Sequence, residues 1–174
     1  MSNFKKVKLT DFFDILPTNQ DDKINFQLSN KNDPKAIPFV GRTNSNNGVV
    51  DYAKVKDKMM NKANVITIAL DGSTGSAFYQ HVDFLSGQNI WILKPKSNKF
   101  KKFNALIGFF CVTSIRKSVV NYSYNLGLTK TRLSNISILL KVKDNLVDVE
   151  WIENFMSKFR NIKYITNIKK KRLY

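Results

Sequence analysis

Cysteine and histidine are nearly missing from this chain, whose 174 residues include one of each, Cys111 and His81. A single thiol makes no intrachain disulfide, which fits a reducing, cytoplasmic setting. Cys111 lies in the apolar run ALIGFFCVTSI and reads as a small buried hydrophobe. One imidazole and one thiol do not supply the ligand set of a zinc site. The 13 acidic residues are scattered and show no paired spacing suited to a carboxylate Mg²⁺ site. A Ser-His-Asp arrangement would have to use His81, which falls in a strand-like segment. The stretch GSTG at 72–75 also lacks the Gly-x-Ser-x-Gly elbow. The same stretch, DGSTGS, lacks the Gly-Lys-Ser/Thr ending of a phosphate-binding loop, and a strand pattern follows it rather than a helix. We therefore expect a non-enzyme with no catalytic residue, metal or cofactor. Long apolar runs are absent too: none approaches the roughly 20 residues of a membrane span. The opening MSNFKKVKLT carries positive charge but not the apolar stretch of a secretory signal, so no membrane role is expected.

Acidic residues are scarce relative to basic ones. Lys and Arg total 29 against 13 Asp and Glu, for a formal charge of +16 and a pI near 9.9. From Gly72 to Lys143 the chain holds eleven Lys or Arg and one acid, Asp83. Such a field favours a polyanion, whether DNA, RNA or an acidic membrane face. The bland alternative is a lysine-rich surface that is merely solvated. The chain is 43% hydrophobic and 12% aromatic, enough for a packed core. Its length suits one domain that buries about two-thirds of its unfolded surface.

Periodicity gives a coarse map. FKKVKLTDFFDILP reads as a short strand and then a turn of helix, and TNQDDKINFQLSNKNDPKA as a loop. AIPFVGRTN is a strand stopped by Gly41, and SNNGVVDY contains the Asn-Gly turn signal. VKDKMMNK reads as a brief helix or loop. NVITIAL, SAFYQHVDFL and NIWILKP read as strands, the last two around Gly87. KFNALIGFFCVTSIRKSVVNYSY has helical spacing of apolar residues. YNLGLTKTRLSN reads as a glycine-hinged loop, ISILLKV as a strand, and DVEWIENFMSKFRNI as a helix capped by Asp148. The expected fold is α+β, a twisted, mostly antiparallel sheet flanked by a few helices. Residues 1–162 are expected to form a single domain, and 163–174 a basic C-terminal tail.

Four polar loops carry the candidate DNA contacts. GRTNSNNG offers Arg42, Thr43, Asn44, Asn46 and Asn47 on one turn. Arginine pairs with the guanine edge in the major groove and asparagine with the adenine edge. DGSTGSAFYQ offers Ser73, Thr74 and glycine-exposed amides for a phosphate backbone. Phe78 and Tyr79 read mainly as packing for that hairpin, with base stacking by Tyr79 as the alternative. LKPKSNKFKK offers Lys94, Lys96, Lys99, Lys101 and Lys102 for phosphates, and YNLGLTKTRL offers Tyr124, Thr129, Lys130 and Arg132, its 127–132 part expected to read bases in the major groove together with 41–48. Turns are commonly polar whatever their role, so each loop alone is weak. Together, on a strongly basic domain, they favour sequence-specific DNA binding.

The order IPFVGRTNSNNGVVDY, NVITIALDGSTGSAFYQHVDF, NIWILKP, ALIGFF and YNLGLTKTRLSNISILLKV resembles a target recognition domain. It is similar to the DNA-specificity (S) subunits of type I restriction–modification systems, and still more to the specificity proteins of type IIB systems. The match runs over about residues 5–160. The resemblance implies a twisted sheet flanked by helices that reads one half of a split double-stranded DNA target. It implies no catalytic centre. It also implies a DNA methyltransferase subunit, and often a restriction subunit, held on that site, with S-adenosylmethionine bound by the partner. The chain departs from the pattern in having one recognition domain, in ISILLKV where the family has an Ile-x-Leu-Pro strand, and in a tail without heptads. These departures leave open a half-size subunit that forms a homodimer on a symmetric target, or a shortened piece.

Two other readings stay open. The chain could be a non-catalytic mimic that docks a methyltransferase through Trp151, Phe155 and Phe159, residues that otherwise read as core. RNA binding has less support, for lack of an aromatic RNP-like strand or a KH-type Gly-x-x-Gly loop.

Overall fold

A computed structural model describes residues 1–54, 59–122 and 127–159. The basic tail at 163–174 and Tyr124 lie outside the described residues. The fold is α+β with three small sheets. The strands are β1 (Asn3–Lys8), β2 (Phe13–Pro17), β3 (Ile37–Val40), β4 (Val49–Ala53), β5 (Val65–Ala69), β6 (Ala77–Gln80), β7 (Leu85–Ser86), β8 (Ile90–Pro95), β9 (Ser137–Lys143) and β10 (Leu146–Val147). The helices are α1 (Leu9–Phe12), α2 (Ala105–Val119), α3 (Lys130–Ser134) and α4 (Val149–Ser157). The sheets run β1-β9-β10, β2-β8-β5-β6 and β4-β3-β7. All pairings are antiparallel except β3 with β7.

The four-stranded sheet is central because β5, Val-Ile-Thr-Ile-Ala, is buried along its whole length. Successive strand residues face opposite sides. Ile66 and Ile68 enter the main core with Leu93, while Val65 and Ala69 enter a second core with Val40, Phe84, Ile90 and Ile92. α2 covers the main-core side. Its buried Ile107, Cys111, Ile115 and Val119 recur every fourth residue on one face. Asn104 caps it, accepting from the Leu106 and Ile107 amides at 3.1 and 3.3 Å. α2 and β6 approach closely at Gly108, where a Cβ would lie 2.3 Å from Tyr79 Cδ2. β9 alternates buried Ile138, Leu140 and Val142 with exposed Leu139.

Three sequence expectations need correction. The segment after α1 is a strand, β2, because FDILP pairs along β8 from Phe13–Pro95 to Pro17–Trp91. TKTRLS is not wholly loop: Thr129 accepts from the Arg132 amide at 3.2 Å and caps α3. SAFYQHVDFL is not one strand. It breaks after Gln80, and Asp83 turns inward to accept from the Ala63 amide at 2.8 Å. The mixed, mostly antiparallel α+β architecture is as expected, with the strands divided among three small sheets. The Asp148 cap on α4 is as expected, with the Trp151 amide at 3.1 Å.

Candidate nucleic-acid interface

Strand polarity in the central sheet decides which loops meet. β5 and β8 are antiparallel with Ala69 opposite Ile90, so the chain after β5 and the chain before β8 emerge at the same end. The turn 70–76 is tight and internally bonded. The Gly75 amide donates to the Ala69 carbonyl at 2.8 Å and the Ser76 amide to the Ser73 carbonyl at 3.0 Å. Gly75 is required there: φ is +78°, and a Cβ would meet Val119 Cγ2 at 2.7 Å. These two amides are therefore taken up within the turn. Ser73 and Thr74 remain part-exposed at its tip.

The loop 41–48 folds against this turn. Arg42 Nη1 donates to Asp71 Oδ2 at 2.9 Å, and both side chains are nearly half exposed, at 47% and 46%. Asn89 Nδ2 donates to the same oxygen at 2.8 Å. Asn46 and Asn47 both take positive φ, the Asn-Gly signal made real. The roles of the asparagines then diverge. Asn47 is a latch: its Nδ2 donates to the Tyr79 carbonyl at 3.2 Å, and its own carbonyl accepts from Gln80 Nε2 at 3.1 Å. Asn46 Nδ2 donates to the Val49 carbonyl at 2.9 Å. Thr43 and Ser45 share a hydroxyl contact at 3.1 Å, and Asn44 is exposed at the loop tip.

The segment 127–132 joins the same end, as the Leu128 amide donates to the Leu70 carbonyl at 3.3 Å. Lys130 Nζ stands 5.4 Å from the centre of the Trp91 ring, and Arg132 Nη1 donates to the Gly127 carbonyl at 2.8 Å. Thr129 acts through its cap. Three of the four predicted loops thus share one end of the sheet.

The fourth does not. β8 carries the lysines of LKPKSNKFKK to its other end, about 17 Å away at about 3.3 Å per residue. Lys94 is exposed and lies opposite Asp14 in register. Lys96 Nζ donates to the Thr10 carbonyl at 2.7 Å and sits 3.7 Å from Asp14 Oδ1. Lys99 Nζ donates to the Asn145 carbonyl at 3.4 Å and lies over the Phe12 ring. Lys96 and Lys99 line an open basic cleft with Lys6 and Lys8. Lys102 pairs with Glu153.

Tyr79 requires a correction. It is 4% exposed, packed between α2 and Phe103, and its hydroxyl donates to Asn64 Oδ1 at 2.7 Å. Burial pushes its pKa up from 10.0 to about 12. It has no face to offer a base. The sequence reading missed Asp71, Asn89 and Arg116. Arg116 reaches from α2 to the Ala77 carbonyl at 2.9 Å and stacks 4.4 Å over the Phe78 ring, and its burial lowers its pKa. Asp71 stood in DGSTGS and Asn89 in GQN, turn signals that identify a bend but not its partner.

A separate surface is apolar. Phe4, Phe110, Leu139, Met156, Phe155 and Phe159 line an open groove, with Phe155 39% and Phe159 52% exposed. Val149 and Ile152 take the core positions of α4, which leaves its aromatic residues at the rim.

Comparison with known proteins shows the family and the fold. The model of one family, the type I restriction modification DNA specificity domain, matches residues 1–171. The chain is 30% identical over 129 residues to the specificity subunit S.BcgI of a type II restriction enzyme from Heyndrickxia coagulans, covering 74% of this chain and 37% of the relative. Its fold resembles the HsdS subunit of Thermoanaerobacter tengcongensis (TM-score 0.59, 14% identity, 97% of this chain and 38% of the other). It also resembles the type I S subunit of M. genitalium (TM-score 0.56, 14% identity, 98% and 44%). The chain therefore spans roughly two-fifths of the length of the relatives it matches.

Proposed function

The chain belongs to the type I restriction modification DNA specificity domain family, and from that premise we propose that residues 1–162 are one recognition domain reading double-stranded DNA. The observation that carries this reading is the convergence of loops 41–48, 70–76 and 127–132 on one end of the central sheet. Arg42, Thr43 and Asn44 stand at the base edges. Ser73, Thr74, Lys130 and Arg132 meet the backbone. Affinity comes mostly from the phosphate contacts, and discrimination from the base contacts. The domain performs no chemistry itself and needs no cofactor. It positions a DNA methyltransferase, and a restriction subunit where the system has one, in the cytoplasm. A homodimer would give a symmetric target. Among the described residues no helix is long and apolar enough to cross a membrane.

Selection from a randomised duplex library at two salt concentrations tests the reading. A motif that survives the higher salt supports it. Motif-free binding that vanishes with salt means the charge is a non-specific footprint. On the selected site, Arg42→Ala should cost about 1–3 kcal/mol and relax one base position. Equal weakening on every duplex would sink the assignment of base reading to this loop.

The exposed aromatic groove favours a second activity on the same domain, docking of a methyltransferase subunit beside Phe155 and Phe159. Co-purification with a methyltransferase subunit that is lost in Phe155→Ser, while DNA selection is kept, would support it.

A further inference from the structure

Asp71 is a poor residue to place beside DNA. It lies at the converging loops of a +16 chain, where a carboxylate repels every phosphate. The fold nonetheless fixes it there from several sides. Asn89, itself at φ +60°, donates to Oδ2. The Asn89 amide in turn donates to Gln20 Oε1 at 3.1 Å, and its carbonyl accepts from the Leu70 amide at 3.0 Å. The next residue, Gly72, has φ +63°, and a Cβ there would lie 3.1 Å from Arg42 Cβ, so the turn runs along the arginine stem. Asp71 Oδ1 is buried with no hydrogen-bond partner, so it is not an acceptor for a base. The carboxylate acts on Arg42 and Asn89.

Arg42 gives Asp71 one donor, Nη1. A guanidinium has five N–H donors in a rigid fork, so fixing one nitrogen sets the plane in which the others point. A free arginine follows the nearest phosphate, whereas a buttressed one is preorganised for a bidentate acceptor. In the major groove that acceptor is guanine, through O6 and N7. We propose that Asp71, held by Asn89, is a positioning residue for base recognition: it orients Arg42 toward a guanine edge and restrains its capture by phosphates. The proposal rests on the DNA-reading assignment above.

The test compares the full chain with Asp71→Ala, Asp71→Asn, Asn89→Ala, Arg42→Ala and the Asp71→Ala/Arg42→Ala double variant. Each is titrated against the selected duplex, against its single base-pair substitutions and against random duplex, with thermal melting alongside. Asp71→Ala should lose about tenfold in discrimination at one base pair, while random-duplex affinity holds or rises. Asp71→Asn keeps an acceptor oxygen and should recover part of the discrimination. Asn89→Ala should shift it in the same direction as Asp71→Ala. In the Arg42→Ala background the Asp71 change should have no further effect on discrimination. Full discrimination by Asp71→Ala overturns the proposal alone. So does a loss that persists without Arg42, or one that tracks melting temperature across all duplexes. A wild-type chain that selects no motif overturns the DNA-reading assignment and this proposal with it.

Discussion

Tyr79 shows how one residue type can serve two opposite roles. Its ring fills the space that Gly108 leaves on α2, and its hydroxyl is bonded to Asn64. The neutral phenol is the form that burial tolerates, which is why its pKa rises from 10.0 to about 12. The sign follows directly. The folded state keeps the proton longer than the unfolded chain, so this residue's contribution is intact below pH 10. It is lost as pH climbs from about 10 toward about 12. Tyr79→Phe should remove that share of the alkaline loss, read as a shallower fall in urea-unfolding stability across the window. At neutral pH it should cost about 1 kcal/mol for the lost hydrogen bond and leave DNA affinity unchanged. A fall in DNA affinity with intact stability would return Tyr79 to the binding surface.

At the scale of elements, the loop 41–48 behaves as a part clipped onto β6. Asn47 supplies the clip with three hydrogen bonds and a φ of +53°. Asn47→Gly keeps that backbone and removes the two side-chain bonds. We expect a stability loss of about 1 kcal/mol by urea titration and a weaker, less discriminating loop. Were Asn47 a direct reader, discrimination would fall with stability unchanged. Residues of this kind explain what was legible in the sequence. Helix α2, strands β3, β5, β8 and β9 and the Asp148 cap were readable because periodicity and capping are local. The role of Asn47 was not, because asparagine in a turn has the same signature whether it points at DNA or at the neighbouring strand. The break after Gln80 and the short α3 were hidden for a related reason. The break is fixed by a tertiary bond, from the Ala63 amide to Asp83, and α3 is a single short turn whose Thr129 cap sits in a glycine-containing polar segment that also reads as a loop. Asp71 was visible as a letter, but its partner lies 29 residues away.

For the whole molecule, net charge overstates the DNA footprint. The basic residues of the four candidate loops are divided between two ends of the central sheet. At the loop end, Lys130 extends over Trp91 and is exposed. At the other end, Lys96 is held by the Thr10 carbonyl and Asp14, and Lys99 by the Asn145 carbonyl and the Phe12 ring, so both tie β8 to its neighbours. A lysine that neutralises a phosphate releases a counterion and steepens the salt dependence of binding by about 0.9 in log–log slope. Lys130→Ala should therefore flatten that slope by about one contact. Lys96→Ala should leave the slope alone and lower the unfolding midpoint. Anisotropy titrations of a random duplex over a salt series, paired with melts, separate the two. A slope change for Lys96→Ala equal to that for Lys130→Ala would carry the DNA track across the full length of β8. The lysine run would then meet phosphates, as its composition alone suggests.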